Sequence, residues 1–327
     1  MTVKRVRRVL VTGGAGFIGS HLAQLLIARG DDVVIVDDLS TGRRENLPQH
    51  ARVRFVYNTV STALTGELAK EKFDEIYHLA ASVGVKLVVD NPTKCIENNI
   101  HETGELVRFA CTASFENKPT RTLIASSSEV YGKSDKTPFR EDDDVVYGPT
   151  TVFRWTYAMS KALDESIGLS AFKTHGLPVV ITRFFNTVGP RQVGDYGMVL
   201  PRFIAAALKG EDLPVYGDGS QTRCFCDVRD VSAALPKLLA CSEAFGGVFN
   251  VGSDRAISIR ELANLVIRVT QSSSRVRAIP YADAFASGFE DLRQRKPDLT
   301  RIQRVIGFSP TIPLEKTIED VAVLMKH

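Results

Sequence analysis

The sequence predicts an α/β protein, a doubly wound parallel sheet followed by a smaller C-terminal domain. Three observations predict it. Short β-branched runs alternate with helical patterns through the first half, the first run leads into a glycine-rich turn, and the rhythm changes after Asn186. The expected strands are residues 8–11, 33–36, 53–56, 75–78, 122–125 and 179–182, with helices such as 16–29 and 99–111 between them. A helix after each strand implies crossover connections, and those put helices on both faces of the sheet. Past Asn186, loops rich in Gly and Pro cover 188–197 and 214–221, and helices are expected at 200–209, 228–240, 258–270 and 314–326. The division expected is residues 1–185 and 186–327, with parts of the second packing back onto the first.

The chain has 327 residues, of which 44% are hydrophobic and 24% charged, enough to bury a sizeable core. Net charge is +3, from 41 basic and 38 acidic side chains. The basic residues are scattered apart from a run at 4–8, so neither nucleic acid nor a membrane surface is indicated as a partner. Five cysteines form no zinc spacing; they read as small buried side chains, no metal site is expected, and the usage fits a reducing cytoplasm. The basic start ahead of an apolar run mimics a signal peptide, but glycines break the run, and no apolar stretch is long enough to span a bilayer.

Those glycines carry the first functional signal. Thr12-Gly13-Gly14-Ala15-Gly16-Phe17-Ile18-Gly19-Ser20 lies between the first strand and a helix. Gly13, Gly16 and Gly19 allow a sharp turn, a close backbone approach to a pyrophosphate and close packing of helix on sheet. Phe17 and Ile18 open the helix whose N-terminal N–H groups face the phosphates. Asp37, ending the second strand, suits the adenosine ribose hydroxyls. The fold is therefore of the Rossmann type and the cofactor NAD. Asp37 and Asp38 would repel a 2′-phosphate, although Arg43 and Arg44 follow and could accept one. In His78-Leu79-Ala80-Ala81, Ala80 is small enough for a cofactor to lie against backbone, and His78 reads as a satisfied strand-end histidine.

Tyr157 and Lys161 stand four apart in a helical stretch and so share a face. An ammonium there favours the phenolate and is expected to lower the phenol pKa toward working pH, letting Tyr157 take a proton from a substrate hydroxyl as hydride leaves. The fifth strand ends in Ser126-Ser127-Ser128-Glu129-Val130-Tyr131-Gly132, where a serine hydroxyl can hold the reacting oxygen. Arg191 and Arg223 follow loop glycines and suit phosphate.

Taken together, TGGAGFIGSHL, YHLAA, Asn99, SSSEVYG, YAMSK, FNTVGPR, VYGDGSQTR and VFNVGS make the chain resemble, nearly end to end, the extended short-chain dehydrogenase/reductase family of nucleotide-sugar epimerases, dehydratases and decarboxylases. The resemblance implies Ser127 as the catalytic serine, Tyr157 as base and Lys161 as also binding the nicotinamide ribose. It implies that Asn186, Arg191, Arg223 and Arg295 bind the nucleotide diphosphate or the sugar, in a C-terminal substrate-binding domain following an NAD-binding one. It also implies a homodimer through helices around 99–111 and 157–170. Asn58 departs from the aspartate that many relatives place near the adenine.

Within the family the first step is oxidation at C4 of the sugar, giving a 4-keto sugar. A 4,6-dehydratase resembles this chain least, because Ser128 stands where the dehydratases have an aspartate, and a serine cannot act as that acid. Ser127-Ser128-Glu129, Arg154-Trp155 and Arg295-Lys296-Pro297-Asp298 are similar to the UDP-glucuronate decarboxylases. There Glu129 would orient sugar or water, Ser128 would touch substrate, and Arg295 would pair with the carboxylate or deliver a proton. Met198, where decarboxylases carry an arginine, favours the alternative of a UDP-hexose 4-epimerase. A non-catalytic NAD-binding protein would be expected to lack Tyr157, Lys161 or Ser127, and a dehydrogenase releasing NADH would not need the arginine-bearing second domain.

Overall fold

A computed structural model describes residues 5–82, 91–115, 118–194, 198–280 and 294–326. Lys4, the end of the Gly-rich loop at 195–197 and the first part of the charged run before Arg295 lie outside the described residues. The first part of the chain runs β1 (Arg8–Thr12), α1 (Phe17–Ala28), β2 (Asp32–Asp37), β3 (Val53–Tyr57), α2 (Val60–Thr65), β4 (Glu75–His78), α3 (Pro92–Thr112), β5 (Arg121–Ser127), α4 (Thr156–His175) and β6 (Val179–Phe184). The remainder runs β7 (Thr187–Val188), α5 (Val199–Lys209), β8 (Leu213–Tyr216), β9 (Thr222–Cys224), β10 (Cys226–Asp227), α6 (Val228–Ala240), β11 (Gly247–Val251), β12 (Ala256–Ser258), α7 (Ile259–Thr270), β13 (Val276–Ile279), β14 (Gln294–Arg295), α8 (Thr300–Ile306) and α9 (Leu314–Met325).

The main sheet has seven strands in the order β11-β6-β5-β4-β1-β2-β3, each neighbouring pair parallel. Its winding reverses between β1 and β4, and a crevice opens past the carboxyl ends of strands at such a switch point. Successive residues of a strand feed opposite faces. Val9, Val11, Val33 and Ile35 pack with Leu22 and Leu26 of α1 and with Leu235 and Leu238 of α6. Leu10, Val34, Val36 and Ile124 pack with Ala63 of α2 and Leu106 and Ala110 of α3. Helices thus cover both faces, as the continuous apolar character of these strands requires. A third core joins α5, α7 and α9 through Phe203, Ile204, Leu262, Val266 and Ile318.

Helix α3 begins seven residues earlier than the apolar periodicity suggests. Asn91 accepts a hydrogen bond from the Lys94 N–H at 3.3 Å and Pro92 occupies the first turn, a start signal of capping rather than of hydrophobic spacing. Helix α7 begins with a reciprocal cap between Ser258 and Glu261. The cysteines at 224 and 226 fall on two short strands separated at Phe225, and both remain buried. Among the described residues no helix is long and apolar enough to cross a membrane.

Candidate active site

One cleft of about 1190 Å³ runs along the carboxyl ends of the strands, from Asp37 past Gly13 and Tyr157 to Arg223 and Arg295. Its first half is the glycine turn. The Gly13 N–H donates to Val36 O at 2.8 Å, and Gly13 takes φ +70° with its α-carbon against the backbone of Ala80. A side chain on Gly19 would lie 2.1 Å from Gly13 O, so the turn closes only with hydrogen there. Gly16 precedes α1 without a side-chain cap, and the first turn carries no acidic residue, leaving N–H groups and the positive helix end facing the cleft.

Asp37 is buried and accepts from Ala15 N and Leu39 N, both at 2.9 Å. Burial raises its pKa, opposed by those two N–H groups. Asp38, Ser40, Thr41 and Asn58 complete this end. Arg43 and Arg44 are not among the described lining residues; Arg43 faces Glu45 and Arg44 lies over Phe55. A bare cradle, an uncapped helix start and two carboxylates without a lining arginine fit NAD. His78 donates to or accepts from Thr12 Oγ1 at 2.8 Å and Thr103 Oγ1 at 3.1 Å, and burial lowers its pKa to about 3. It is a neutral structural histidine.

Past Ala80 the cleft reaches Ser127, Tyr157 and Lys161. Ser127 ends β5, while Tyr157 and Lys161 share the inward face of α4. The phenol is hydrogen-bonded with the Ser127 hydroxyl. Asn99 ties the region together, accepting from Ser82 N at 2.8 Å and donating to Ser160 Oγ at 3.0 Å. One expectation is reversed. The Tyr157 pKa is raised, by burial first and the Glu129 charge second, with the Ser127 hydrogen bond working the other way. Lys161 is held by Asp164 Oδ2 at 2.7 Å in an ion pair shut away from water, and the Asp164 charge itself works against the phenolate.

Glu129 follows on a short 3₁₀ turn after β5. Arg295 donates to its Oε1, and Arg154 lies 3.3 Å from its Oε2. Burial would raise the Glu129 carboxyl, but Arg295, Arg154 and Arg223 outweigh it and hold the pKa below the usual glutamate value. Arg295 reaches the site because β14 pairs with β9, placing it opposite Arg223 in register. Ser128 is buried at the cleft wall, and Asn186 lines it while its side chain donates to Cys224 O at 3.4 Å.

The cleft therefore collects Gly13, Gly16, Phe17, Ile18, Gly19, Asp37, Ala80, Ser127, Ser128, Glu129, Tyr157, Lys161, Asn186, Arg223 and Arg295. It does not collect Arg191, which takes φ +70° in its loop, lies near His21 of α1 and keeps its Nη1 buried without a hydrogen-bond partner among the described residues. Asp164 went unread in the sequence, as did Arg202, which lines the cleft and donates to the Tyr216 hydroxyl at 3.3 Å. The i to i+3 spacing of Lys161 and Asp164 was the available signal for the former.

Residues 9–252 match the model of the NAD dependent epimerase/dehydratase family. The chain is 40% identical to the UDP-N-acetyl-alpha-D-glucosaminuronate decarboxylase of Bacillus cytotoxicus over 319 residues, covering 96% of each chain. It is 34% identical to UDP-glucuronic acid decarboxylase 4 of Arabidopsis thaliana over 316 residues, 96% of this chain and 67% of that one. The structure of UDP-N-acetylglucosamine 4-epimerase from Methanobrevibacter ruminantium M1, in complex with UDP-N-acetylmuramic acid, superposes with a TM-score of 0.87 at 30% identity, covering 99% of both chains. With that match spanning most of its length, and with the dinucleotide crevice in place at the switch point of its sheet, this chain belongs to the NAD dependent epimerase/dehydratase family.

Proposed function

We propose that the protein decarboxylates a UDP-linked hexuronate, UDP-glucuronate or its 2-acetamido counterpart. The observation that carries the reading is the corner beside Tyr157 where Arg154 and Arg295 flank one carboxylate, Glu129, with Arg223 close behind. These guanidiniums already hold one carboxylate, and the same planar forks suit the carboxylate of a sugar acid. The names of the two decarboxylases to which the chain is similar support the same class. In this reading residues 1–185 hold NAD and 186–327 hold the nucleotide-sugar, and two copies pair through α3 and α4.

NAD, when bound, accepts a hydride from C4 of the sugar and returns it. Gly13, Gly16 and Gly19, with Phe17 and Ile18, would hold its pyrophosphate, Asp37 its adenosine ribose, Ala80 its backbone-facing edge and Lys161 its nicotinamide ribose. Tyr157 removes the proton from the 4-hydroxyl, with Ser127 donating to the same oxygen. Once C4 is a ketone, a carboxylate on C5 lies β to it. The bond from C5 to the carboxylate breaks, carbon dioxide leaves, and the electron pair passes onto the C4 oxygen, where Ser127 and Tyr157 stabilise the developing charge. C5 then takes a proton from water, and Tyr157 returns its own to the C4 oxygen. Glu129, held ionised by its arginines, is a positioning charge for them and for water rather than an acid. Asn186, Arg223 and Ser128 bind the diphosphate and the sugar.

The test is incubation with UDP-glucuronate, UDP-N-acetylglucosaminuronate and UDP-glucose, with gas release followed and products identified by NMR. Carbon dioxide from a uronate without accumulation of NADH is expected. A uronate epimerised at C4 with its carboxylate intact would replace this reading with the second one, 4-epimerisation. Met198 favours that second reading, because it lines the cleft with a thioether at a position where the resemblance to decarboxylases calls for a cation.

A further inference from the structure

Asp164 lies on α4 one turn beyond Lys161, facing inward. Its Oδ2 accepts from Lys161 Nζ at 2.7 Å, with the two side chains 0% and 2% exposed. Its Oδ1 is equally buried and has no hydrogen-bond partner among the described residues. A carboxylate with half of its acceptor capacity unused is a costly thing to bury. A dry ion pair of this kind adds little to stability over a well-packed apolar pair. Folding alone therefore gives no reason for a charge at this position, and the ammonium it holds belongs to the proposed reaction centre.

The groups facing that ammonium and the phenol come from several elements. Cys95 and Asn99 face them from α3, the neutral His78 from β4, and Ser127 and Glu129 from the end of β5, with Arg154, Arg295 and Arg223 behind Glu129. On α4 itself the charged groups nearest them are Lys161 and Asp164, while the neighbouring Glu165 is buried against Arg183 and Ser126.

We propose that Asp164 is a positioning residue acting through Lys161: it accepts a hydrogen bond from one of the three ammonium N–H groups, leaves the others for the cleft, and offsets the positive charge that the lysine would otherwise present to the Tyr157 phenol. The Asp164 charge itself also opposes formation of the phenolate. An enzyme built this way holds its base protonated until the cofactor and substrate bring their own charges and hydrogen bonds to the site. The inference rests on the reading of Tyr157 as base.

Asp164→Asn, which keeps the shape and removes the charge, is the test, made on the protein with bound NAD. The acid limb of the kcat/KM profile for uronate turnover is expected to move down by about one pH unit, a tenfold change in proton affinity. The phenolate signal in an ultraviolet titration, with Tyr157→Phe subtracted, is expected to move with it. Asp164→Ser, smaller and also uncharged, repeats the measurement should the amide fail to fold. An unmoved or raised midpoint in a folded variant that retains NAD overturns the role given to Asp164, as does a fall in kcat with the midpoint unchanged. Turnover by Tyr157→Phe would instead overturn the base, so the two failures are distinguishable.

Discussion

At Glu129 two opposing effects meet, since its side chain lies where burial favours the neutral acid while three arginines favour the anion, and the arginines prevail. Replacing it by glutamine keeps the shape but leaves Arg154 and Arg295 facing an amide. Glu129→Gln is expected to lower kcat for uronate decarboxylation by about 100-fold, the cost that misplacing a bound reactant can carry, while NAD stays bound after desalting; a variant equal to the parent would remove Glu129 from the mechanism. His78 yields a second expectation, in stability. Its folded pKa is depressed to about 3 against an ordinary value near 6.5 in the unfolded chain. The unfolded state therefore binds the extra proton, and this contribution is complete above about pH 6.5 and lost progressively as pH falls toward about 3. The loss is about 1.4 kcal/mol per pH unit within that window. Urea denaturation of His78→Gln, compared with the parent at several pH values, should show the flatter dependence. Residues such as Tyr157, Lys161 and Ser127 were legible because spacing along one helix and position at a strand end are local properties. Asp164 as the partner of Lys161, and the reversed direction of the Tyr157 pKa, were not, because they depend on which charges the fold brings together from α3, α4 and the end of β5.

At the scale of an element, the glycine turn separates two tasks that the sequence pattern merges. A methyl on Gly19 would collide with rigid backbone at 2.1 Å, whereas one on Gly16 would stand 3.1 Å from Gly13 O and otherwise face open space. Gly19→Ala is expected to lower the melting temperature of the NAD-free protein as well as NAD retention. Gly16→Ala is expected to leave the melting temperature within a few degrees of the parent and weaken NAD binding at least tenfold, because the backbone can no longer approach a pyrophosphate. Differential scanning fluorimetry and the NAD released on acid extraction measure both; equal melting temperatures for the two variants would refute the separation. The long elements were readable for the reason these glycines were. Strands β1, β2 and β5 are buried on both faces and read as apolar runs, and α6 and α7 carry clear helical periodicity. What escaped was short or displaced. Helix α8 spans only Thr300–Ile306, and β11 joins the main sheet beside β6 although sixty-odd residues of chain intervene, a pairing that no local pattern announces.

For the molecule as a whole, the remaining surface to explain is the outward side of α3 and α4. Leu163 and Ile96 are 50% and 40% exposed, and half-buried Met159 stands one turn before Leu163 while half-buried Ile100 follows Ile96 by one turn. Two adjacent helices thus present parallel apolar stripes. A two-fold interface sets the same patch against itself, so four helices would bury both stripes from each copy. The inward side of α4 carries Tyr157 and Lys161, so pairing would stiffen the scaffold on which the reaction centre stands. Sedimentation equilibrium is expected to return twice the chain mass. Leu163→Arg, which puts two like charges at the centre of the interface, is expected to return the mass of one chain, with a lower melting temperature and the NAD site still able to fill. A parent already at the mass of one chain would refute the pairing, and a Leu163→Arg variant that remains paired would place it on a different face.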